Sequence, residues 1–383
     1  MTIVISIHQP GRRLSEMADQ ILLLSDGEVA YFGSPKDAKG YFEISCKTEA
    51  PKRTSLADWM MRLVSKESLP KRWSESSRQC ELNEQVRTLL GQRSNPPPKV
   101  SMRFHRQFSF LLRRETIFLA RSPGIFWWRI VLLTLLALLF GAVWYKIGDD
   151  RMRAEEKSAE IWFMVSVFLF VPSAAVPALI EEKRAATREY ADGRWCMSAF
   201  AAAHFLAELP FLLLATVIPG TVMYWMISLR SGAGRFVYFL GALYSGFIAA
   251  EALVFFFASV SSQMLTGVAL AVMCNGCFVL LGGIPRPIPN IGWWFRWLEY
   301  CVNFQYWTVA SMMKNEFDGV LILANVLGFP PRPPLFGDAY LDYLGYPSTW
   351  KFYWIGPLAN LLFALVMRTL AASLAFRLWS AKR

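Results

Sequence analysis

His8 is the first residue whose type and position could do chemistry, because it ends the β-branched run of residues 3–7 in TIVISIHQPGRRL. A run that is apolar on both faces is typical of a central parallel strand with helices packed on either side. Pro10 cannot continue the strand, so His8 lies at its carboxyl end, where open α/β sheets bind ligands. A lone histidine is more often structural, and both interpretations stay open at this point.

Two other charged features could carry function. Glu251 lies inside an apolar run with no basic residue within one helical turn. Because a buried carboxylate is costly in a bilayer, Glu251 is either a functional group or a protonated structural acid bonded to a neighbouring helix. The run Glu181–Arg194 is a charged helix followed by a turn, and is either a contact site or a solvated segment that sets topology. Glu208 is expected to reach the membrane interface.

The composition is that of a membrane protein. Hydrophobic residues make up 54% of the 383 residues, and the mean hydropathy is +0.31, above the values usual for soluble proteins. The net charge of +11 comes from basic residues beside apolar runs, so we expect no nucleic-acid partner. Cys274 and Cys277 form a C-x-x-C in an apolar run without further metal ligands, which favours helix packing and no metal site.

The chain divides into four predicted regions. Residues 1–66 have the pattern of a small α/β domain, with an Asp-Gly turn between two strands and a helix that starts near Pro35. Residues 67–100 turn polar and end in NPPPKV, which predicts a linker. Residues 101–124 carry an apolar face opposite an arginine-rich face, which is typical of a connecting helix in a membrane surface or of an amphipathic helix on a soluble domain. Residues 125–383 form the membrane domain.

The membrane domain contains six apolar segments long enough to span a bilayer, which takes about 20 residues per helix. The predicted spans are residues 125–147, 159–180, 204–228, 235–260, 263–285 and 352–378. Segment 286–316 is too aromatic for a solvated loop and too interrupted for a span, so we expect it to re-enter the outer interface. An even number of spans returns both ends to one side, and the flanking basic residues predict that both termini are cytoplasmic.

Several motifs together resemble one family. TIVISIHQP and ADQILLLSDGEVAYFGSPKDAKGYFE resemble the end of the nucleotide-binding domain of ABC transporters of the G, or White, subfamily. EEKRAATREYADGRW and KNEFDG are similar to motifs in that subfamily's membrane domain. AAEALVFFFASV and LLGGIPRPIPNIGWWFRWLEYCVNFQYW look closest to plant half-transporters that export cuticular lipids.

The resemblance covers nearly the whole chain and implies its fold class. The chain is identified as an α-helical polytopic membrane protein with six transmembrane helices of the ABC-2 type, preceded by a partial α/β nucleotide-binding domain. Residues 1–66 would be the C-terminal remnant of that domain.

The same resemblance implies roles for particular residues. His8 matches the switch histidine that contacts the γ-phosphate, and an imidazole there can donate a hydrogen bond to a phosphoryl oxygen. Glu182, Arg188 and Glu189 match the loop that receives the motion of the ATPase. The family's substrate cavity lies between the second and fifth spans of two subunits, although plain helix packing is the alternative. The matching lining residues are Phe170, Val171, Asn275, Gly276 and Val279, with an outer gate at Ile284 and Pro285.

The sequence departs from the family in one respect. It contains no G-x-x-x-x-G-K-[ST] phosphate loop, no signature serine-glycine motif and no strand ending in Asp-Glu to hold Mg²⁺. ATP and Mg²⁺ are therefore implied as cofactors only together with a missing upstream segment, and we expect the chain alone not to hydrolyse ATP.

The expected function is export of a hydrophobic or lipidic compound across the plasma membrane, by a homodimer or by a heterodimer with another half-transporter. One alternative is a non-enzymatic membrane subunit that pairs with, or regulates, a complete half-transporter. The other is an ATP-independent lipid channel or scramblase.

Overall fold

The computed structural model describes residues 4–7, 17–25, 27–49, 56–64, 69–91, 103–122, 126–147, 154–322, 335–349 and 352–380. His8 lies outside these residues. The chain forms two compact units, which are described separately: the N-terminal unit, residues 1–100, and the membrane unit, residues 101–383.

Two antiparallel strands and four helices make up the described part of the N-terminal unit. They are β1 (Ile21–Ser25), β2 (Glu28–Gly33), α1 (Pro35–Cys46), α2 (Leu56–Val64), α3 (Leu69–Ser74) and α4 (Ser77–Gly91). Gly27 has a φ of +85°, in the left-handed region that a tight hairpin turn needs. Ser34 caps α1 by accepting a hydrogen bond from the Lys36 N–H at 3.3 Å, with Pro35 in the first turn. The predicted hairpin and helix are confirmed.

The aromatic core of the N-terminal unit extends past residue 66. Leu69 and Trp73 of α3 are buried in it, and the ring of Trp73 lies 5.3 Å from the ring of Tyr31. The prediction of a linker from residue 67 is therefore wrong at its start. The segment is polar on average, but its two apolar residues Leu69 and Trp73 lie one helical turn apart and share one face of α3.

Residues 4–7, the described part of the predicted central strand, form no strand. Val4 and Ile5 are exposed, and the sheet described in this unit contains only β1 and β2. The prediction of a buried parallel strand is wrong for these four residues, because no described strand lies beside them to cover their apolar side chains.

The membrane unit is almost entirely helical. Its described helices are α5 (Phe104–Arg121), α6 (Trp128–Val143), α7 (Ala154–Phe170), α8 (Val176–Ala191), α9 (Met197–Ile227), α10 (Ala233–Val260), α11 (Met264–Leu281), α12 (Trp293–Val302), α13 (Phe304–Phe317), α14 (Gly337–Leu344) and α15 (Phe352–Ser380). Two short strands, β3 (Leu321–Ile322) and β4 (Leu335–Phe336), pair with each other. Two 3₁₀ turns occupy Val171–Ala175 and Ile288–Asn290.

Five of these helical segments are long and apolar enough to cross a membrane, and the multi-pass fold is confirmed. They are Ala154–Tyr190, Met197–Ile227, Ala233–Val260, Met264–Leu281 and Tyr353–Ala375. The predicted first span contains the shorter apolar helix α6, whose 16 residues are about 24 Å long. Pro172 and Pro177 lack the N–H that a regular α-helix needs, which accounts for the 3₁₀ turn between α7 and α8.

Helix α10 lies at the centre of the membrane unit, since 78% of the residues in its most apolar 18-residue stretch are buried. Gly246 lets α13 approach its backbone, because a Cβ there would lie 2.6 Å from the Thr308 hydroxyl oxygen. The Asn360 amide of α15 donates to Ser245 of α10 at 3.1 Å and to Thr308 of α13 at 2.9 Å. Small and hydrogen-bonded side chains thus hold three helices together where the bilayer would supply no polar partner.

The predicted re-entrant segment 286–316 consists of a 3₁₀ turn and the helices α12 and α13, which meet at Asn303. Asn303 caps α13 by accepting a hydrogen bond from the Gln305 N–H at 3.0 Å. Helix α12 exposes Trp293 and Trp294, the type of residue that favours a membrane interface. Entry of this segment into the outer interface stays a prediction.

Candidate coupling junction and substrate cavity

A charged cluster joins α5, α8 and the turn after α8. Arg114 of α5 contacts Glu115 beside it at 2.7 Å and Glu189 of α8 at 2.6 Å. The Trp195 indole N–H donates to the same Glu189 carboxylate at 3.0 Å. Gly193, with a φ of +71°, permits the turn that brings Trp195 back against α8. We call Arg114, Glu115, Glu189 and Trp195 the coupling junction.

An apolar layer holds this junction in place. Leu111 of α5, Tyr190 of α8 and Phe200 of α9 belong to one buried apolar cluster. The rings of Trp195 and Phe200 are stacked with their centroids 4.7 Å apart. The predicted amphipathic helix 101–124 therefore uses Leu111 to pack on other helices, while Phe104, at its start, is more than half exposed.

The three predicted coupling residues do not share one environment. The Glu182 carboxylate lies 3.5 Å from the His204 ring of α9, and Glu189 is part of the junction, whereas Arg188 is exposed. Burial raises the pKa of Glu115 to about 7, and the neighbouring Glu182 carboxylate contributes to the increase. Glu115 thus connects the junction electrostatically to Glu182.

Two buried ion pairs join the spanning helices. Arg129 of α6 pairs with Glu251 of α10, and Arg368 of α15 pairs with Glu208 of α9. His204 lies 3.2 Å from the Glu208 carboxylate and 3.1 Å from the Arg368 guanidinium group. Glu251 thus has a partner on a neighbouring helix, as its structural interpretation expected, and that partner is a guanidinium group; a functional role for Glu251 stays a prediction. Glu208 is likewise buried and paired, where exposure at the interface was expected.

Four of the predicted cavity residues lie at the surface of the described chain. Phe170, Val171, Gly276 and Val279 are half-buried. Only 22% of the residues of α11 are buried within this chain. A Cβ at Gly276 would meet no atom within 4 Å. Packing within this chain therefore does not require a glycine at that position, and a role as a lining residue stays a prediction.

Asn275 has a different environment from its neighbours on α11. It is fully buried, its Nδ2 donates to the Ser173 hydroxyl at 3.2 Å, and its Oδ1 accepts from Gln305 at 3.1 Å. These bonds satisfy an amide that would otherwise be unpaired inside the bundle. The assignment of Asn275 to the cavity lining is corrected: in this fold it joins α11 to α13 and the 3₁₀ turn.

The predicted outer gate lies on the turn after α11. Ile284 is half-buried and Pro285 is exposed. The Tyr346 hydroxyl donates to the Gly282 carbonyl oxygen at 2.5 Å, and Gly283 has a φ of +87°. A buried tyrosine thus holds the backbone immediately before the two gate residues.

The KNEFDG motif ties together elements at the end of α13. Its Glu316 accepts hydrogen bonds from the Lys157 ammonium group of α7 at 2.5 Å and from the Arg230 backbone N–H at 2.9 Å. Its Lys314 reaches Asp338 of α14 at 2.9 Å. The motif therefore fixes α13 relative to α7, α14 and the connection between α9 and α10.

Residues 106–317, more than half of the chain, match the family model described as ABC-2 type transporter. The chain belongs to the ABC-2 type transporter family. The matched segment of this ABC-2 chain starts in α5 and ends with the phenylalanine of KNEFDG. It includes the coupling junction, α11 and the pair Arg129–Glu251, whereas Arg368 on α15 lies beyond it.

The chain is also similar to curated ABC transporters of the G family, so the resemblance inferred from its motifs is confirmed. ABC transporter G family member 1 of Petunia hybrida is 26% identical over 345 residues, which cover 84% of this chain and 54% of that protein. ABC transporter G family member 11 of Arabidopsis thaliana is 25% identical over 357 residues, which cover 83% and 50%. ABC transporter G family member 2 of Dictyostelium discoideum is 24% identical over 397 residues, which cover 92% and 29%. The chain spans about half the length of the two plant relatives.

The residues of this chain do not by themselves fit a Mg²⁺–ATP site. The sequence contains no phosphate loop, and His8 lies outside the described residues. In the part of the chain that the structure describes, no three His, Cys, Asp or Glu side chains are grouped as metal ligands. ATP and Mg²⁺ therefore stay predictions that rest on the resemblance.

Sequence reasoning missed Arg114, Glu115, His204 and Arg368. A signal was present for two of them, because His204 and Arg368 are ionisable residues inside apolar spans, and such residues usually face a partner. Arg114 and Glu115 lie in an amphipathic helix in which charged residues are ordinary. Only the fold shows that this pair meets α8.

Proposed function

We propose that the chain carries the membrane domain of an ABC G-family half-transporter that exports a hydrophobic or lipidic compound, with ATP hydrolysis as its energy source. It works as a homodimer or as a heterodimer with another half-transporter, in the plasma membrane and with both termini cytoplasmic. ATP and Mg²⁺ bind the nucleotide-binding segment that the resemblance implies, with His8 at the γ-phosphate.

The observation that carries the proposal is the continuity from the coupling junction to the predicted lining residues. Ala154–Tyr190 is one helical segment, with Phe170 in its first half and Glu189 next to its end. A displacement of the junction is therefore transmitted to Phe170 without crossing a flexible loop. The ABC-2 family match and the G-family relatives support assigning the energy source to an ATPase.

The chemistry of the surface of α11 supports an apolar ligand and a second subunit. Leu265, Met273 and Leu280 are each more than 60% exposed, and they follow the helix on one side. In the proposed dimer this side faces the partner, and Val171 and Val279 contribute apolar walls to the space between the subunits. Such a cavity suits a hydrophobic ligand.

The test measures ATP-dependent export of a fluorescent lipid by cells that express the chain together with its nucleotide-binding segment. Glu182→Ala and Glu189→Gln are expected to slow export about tenfold with normal assembly, because coupling residues typically contribute 0.5–2 kcal/mol. Arg188→Ala tests the exposed third residue. Glu181→Gln is the matched control, since Glu181 is exposed on the same helix, and its rate is expected to stay normal.

Three outcomes would contradict the proposal. Normal export by the Glu182, Arg188 and Glu189 variants would remove the coupling role. Lipid movement that needs no ATP would indicate a channel or scramblase. An effect seen only on the activity of a co-expressed complete half-transporter would indicate a regulatory subunit.

A further inference from the structure

The Lys183 side chain of α8 binds the end of α10. Its ammonium group donates to three backbone carbonyl oxygens, at 3.3 Å for Ala258, 2.5 Å for Ser259 and 2.8 Å for Ser261. Helix α10 ends at Val260, so these acceptors belong to its last turn and to the residue that follows it. Lys183 therefore caps a helix other than its own.

The chemistry of the ammonium group suits this position. The last carbonyl groups of an α-helix have no N–H of the same helix to accept from, and they carry the negative end of the helix dipole. The Phe257 carbonyl oxygen accepts from the Ser261 N–H at 2.9 Å, and the next two carbonyl oxygens accept from Lys183. An ammonium group brings one positive charge and three N–H donors, which match three carbonyl oxygens.

Apolar contacts join the same region of α8 to α10 and α11. One buried apolar cluster contains residues of all three helices: Val176, Ile180, Val254, Ala258 and Ala271. Gly267 lets α11 approach α8, because a Cβ at this position would lie 2.9 Å from Cγ1 of Val176 and 3.2 Å from Cδ1 of Ile180. Helix α8 is thus held to the end of α10 by Lys183 and to the start of α11 by close packing.

The connection between α10 and α11 is short. Only residues 261–263 separate Val260 from Met264. The Gly267 N–H donates to the Gln263 carbonyl oxygen at 3.2 Å, so a backbone hydrogen bond closes the first turn of α11. Because three residues allow little independent movement, the start of α11 is expected to follow the end of α10.

We propose that Lys183 is a positioning residue that links α8 to the connection between α10 and α11, so that α8 and the start of α11 shift together. Lys183 and Glu189 of the coupling junction lie on the same helix, α8. Movement at the junction then reaches α11, which carries the predicted lining residues Gly276 and Val279, as well as Phe170 on α7. This consequence rests on the proposed function, whereas the link itself needs neither ATP nor a substrate.

Hydrogen exchange of the purified full chain in lipid nanodiscs, followed by mass spectrometry, tests the link. The readout is the exchange rate of the amides of residues 258–261, which are hydrogen-bonded in the last turn of α10 and exchange when that turn opens. Lys183→Met removes the charge and the donors at similar length and is expected to speed this exchange about tenfold or more, because charge-assisted hydrogen bonds are lost. Lys183→Arg keeps both and is expected to exchange as the wild type does. Arg184→Met is the matched control, since Arg184 is exposed on the same helix.

Export and ATP hydrolysis by the chain together with its nucleotide-binding segment test the consequence for coupling. Lys183→Met is expected to lower the amount of fluorescent lipid exported per ATP hydrolysed about tenfold, with normal assembly. Lys183→Arg is expected to restore this ratio. A merely stabilising contact would lower the amount of folded protein and leave the ratio unchanged.

A second variant perturbs the packing between α8 and α11 and leaves Lys183 in place. Gly267→Ala is expected to lower the same ratio, because its Cβ would force α11 away from Val176 of α8. Gly241→Ala on α10 is its matched control and is expected to behave normally, because a Cβ there meets no atom of the described residues within 4 Å.

Equal exchange at residues 258–261 in the wild type and in Lys183→Met would overturn the link. Faster exchange in Lys183→Met with a normal ratio of export to hydrolysis would overturn the positioning role. Should Lys183→Met fail to fold, Gly267→Ala decides, and a normal ratio in that variant would exclude transmission to α11. Wild-type export that needs no ATP would instead contradict the proposed function, and the exchange experiment would still decide the link.

Discussion

Removing one member of the Arg129–Glu251 pair is expected to destabilise the membrane unit more than removing both. Glu251→Leu leaves a buried guanidinium group without its carboxylate, and Arg129→Leu leaves the buried carboxylate. The Glu251 and Arg129 side chains are only 5% and 14% exposed, so water screens the pair little. Breaking one side of a buried pair typically costs about 3–5 kcal/mol, whereas an apolar replacement of both sides is often close to neutral.

A double-mutant cycle measures this effect directly. The two single variants and the double variant are compared with the wild-type chain by reversible unfolding in mixed micelles, followed by circular dichroism. We expect an interaction energy of at least about 2 kcal/mol, in the upper part of the range for contacting residues. Glu251→Gln is expected to lie between the wild type and Glu251→Leu, because its amide oxygen still accepts a hydrogen bond from Arg129.

The cycle has a control variant at an exposed position and one result that would refute the pairing. Arg188→Leu removes an exposed guanidinium group from the same unit and is expected to change the unfolding free energy by no more than about 0.5 kcal/mol. Additive effects of Arg129→Leu and Glu251→Leu, with the double variant as unstable as the two losses combined, would refute the pairing.

Three further predictions concern other sites. The pKa of Glu115 is about 7 in the fold, so the folded state binds more protons than the unfolded state between about pH 4.5 and 7. The free energy of unfolding is therefore expected to fall by up to about 3 kcal/mol as the pH rises through this range. Glu115→Gln, beside Arg114, Glu182, Glu189 and His204, is expected to lose this dependence in unfolding midpoints at pH 5 and 8, and an unchanged slope would contradict the assignment. Phe170→Ala is expected to weaken ligand-stimulated ATPase activity in the protein with its nucleotide-binding segment, and unchanged ligand affinity would leave Phe170 a packing residue. The chain alone is expected to show no Mg²⁺-dependent ATP turnover, and turnover abolished by His8→Ala would contradict this.

The spans and the family could be predicted because both depend on local sequence. The length of an apolar run can be counted directly in the sequence. KNEFDG and EEKRAATREYADGRW can likewise be recognised without knowing what each side chain contacts. The hairpin before α1 was predictable for the same reason, since Asp-Gly specifies its turn locally. The 3₁₀ turn at Val171–Ala175 lies where the chain has two prolines, but its effect on the helix was not predicted.

The contacts between distant residues could not be predicted in this way. Glu251 and its partner Arg129 are 122 positions apart, and no periodicity in either helix connects them. Asn275 and Gly276 are adjacent in sequence, yet only the arrangement of α11 against its neighbours makes the first buried and the second open. The burial of Leu69 and Trp73 could not be predicted for a different reason. Two apolar residues in a polar stretch do not show which core they pack into.

The length of the segment Ala154–Tyr190 has a mechanical consequence. Its 37 residues measure about 55 Å, well beyond the hydrocarbon thickness of about 30 Å, so part of the segment has to project past the membrane core. With the 3₁₀ turn as fulcrum, the 16 residues of α8 form an arm of about 24 Å. Swinging that arm by about 10° would carry the Glu189 end through about 4 Å, close to the 5.4 Å pitch of a helical turn. In the proposed coupling role, such a rotation would move the side chains at the Glu189 end by most of one helical turn without unwinding α8.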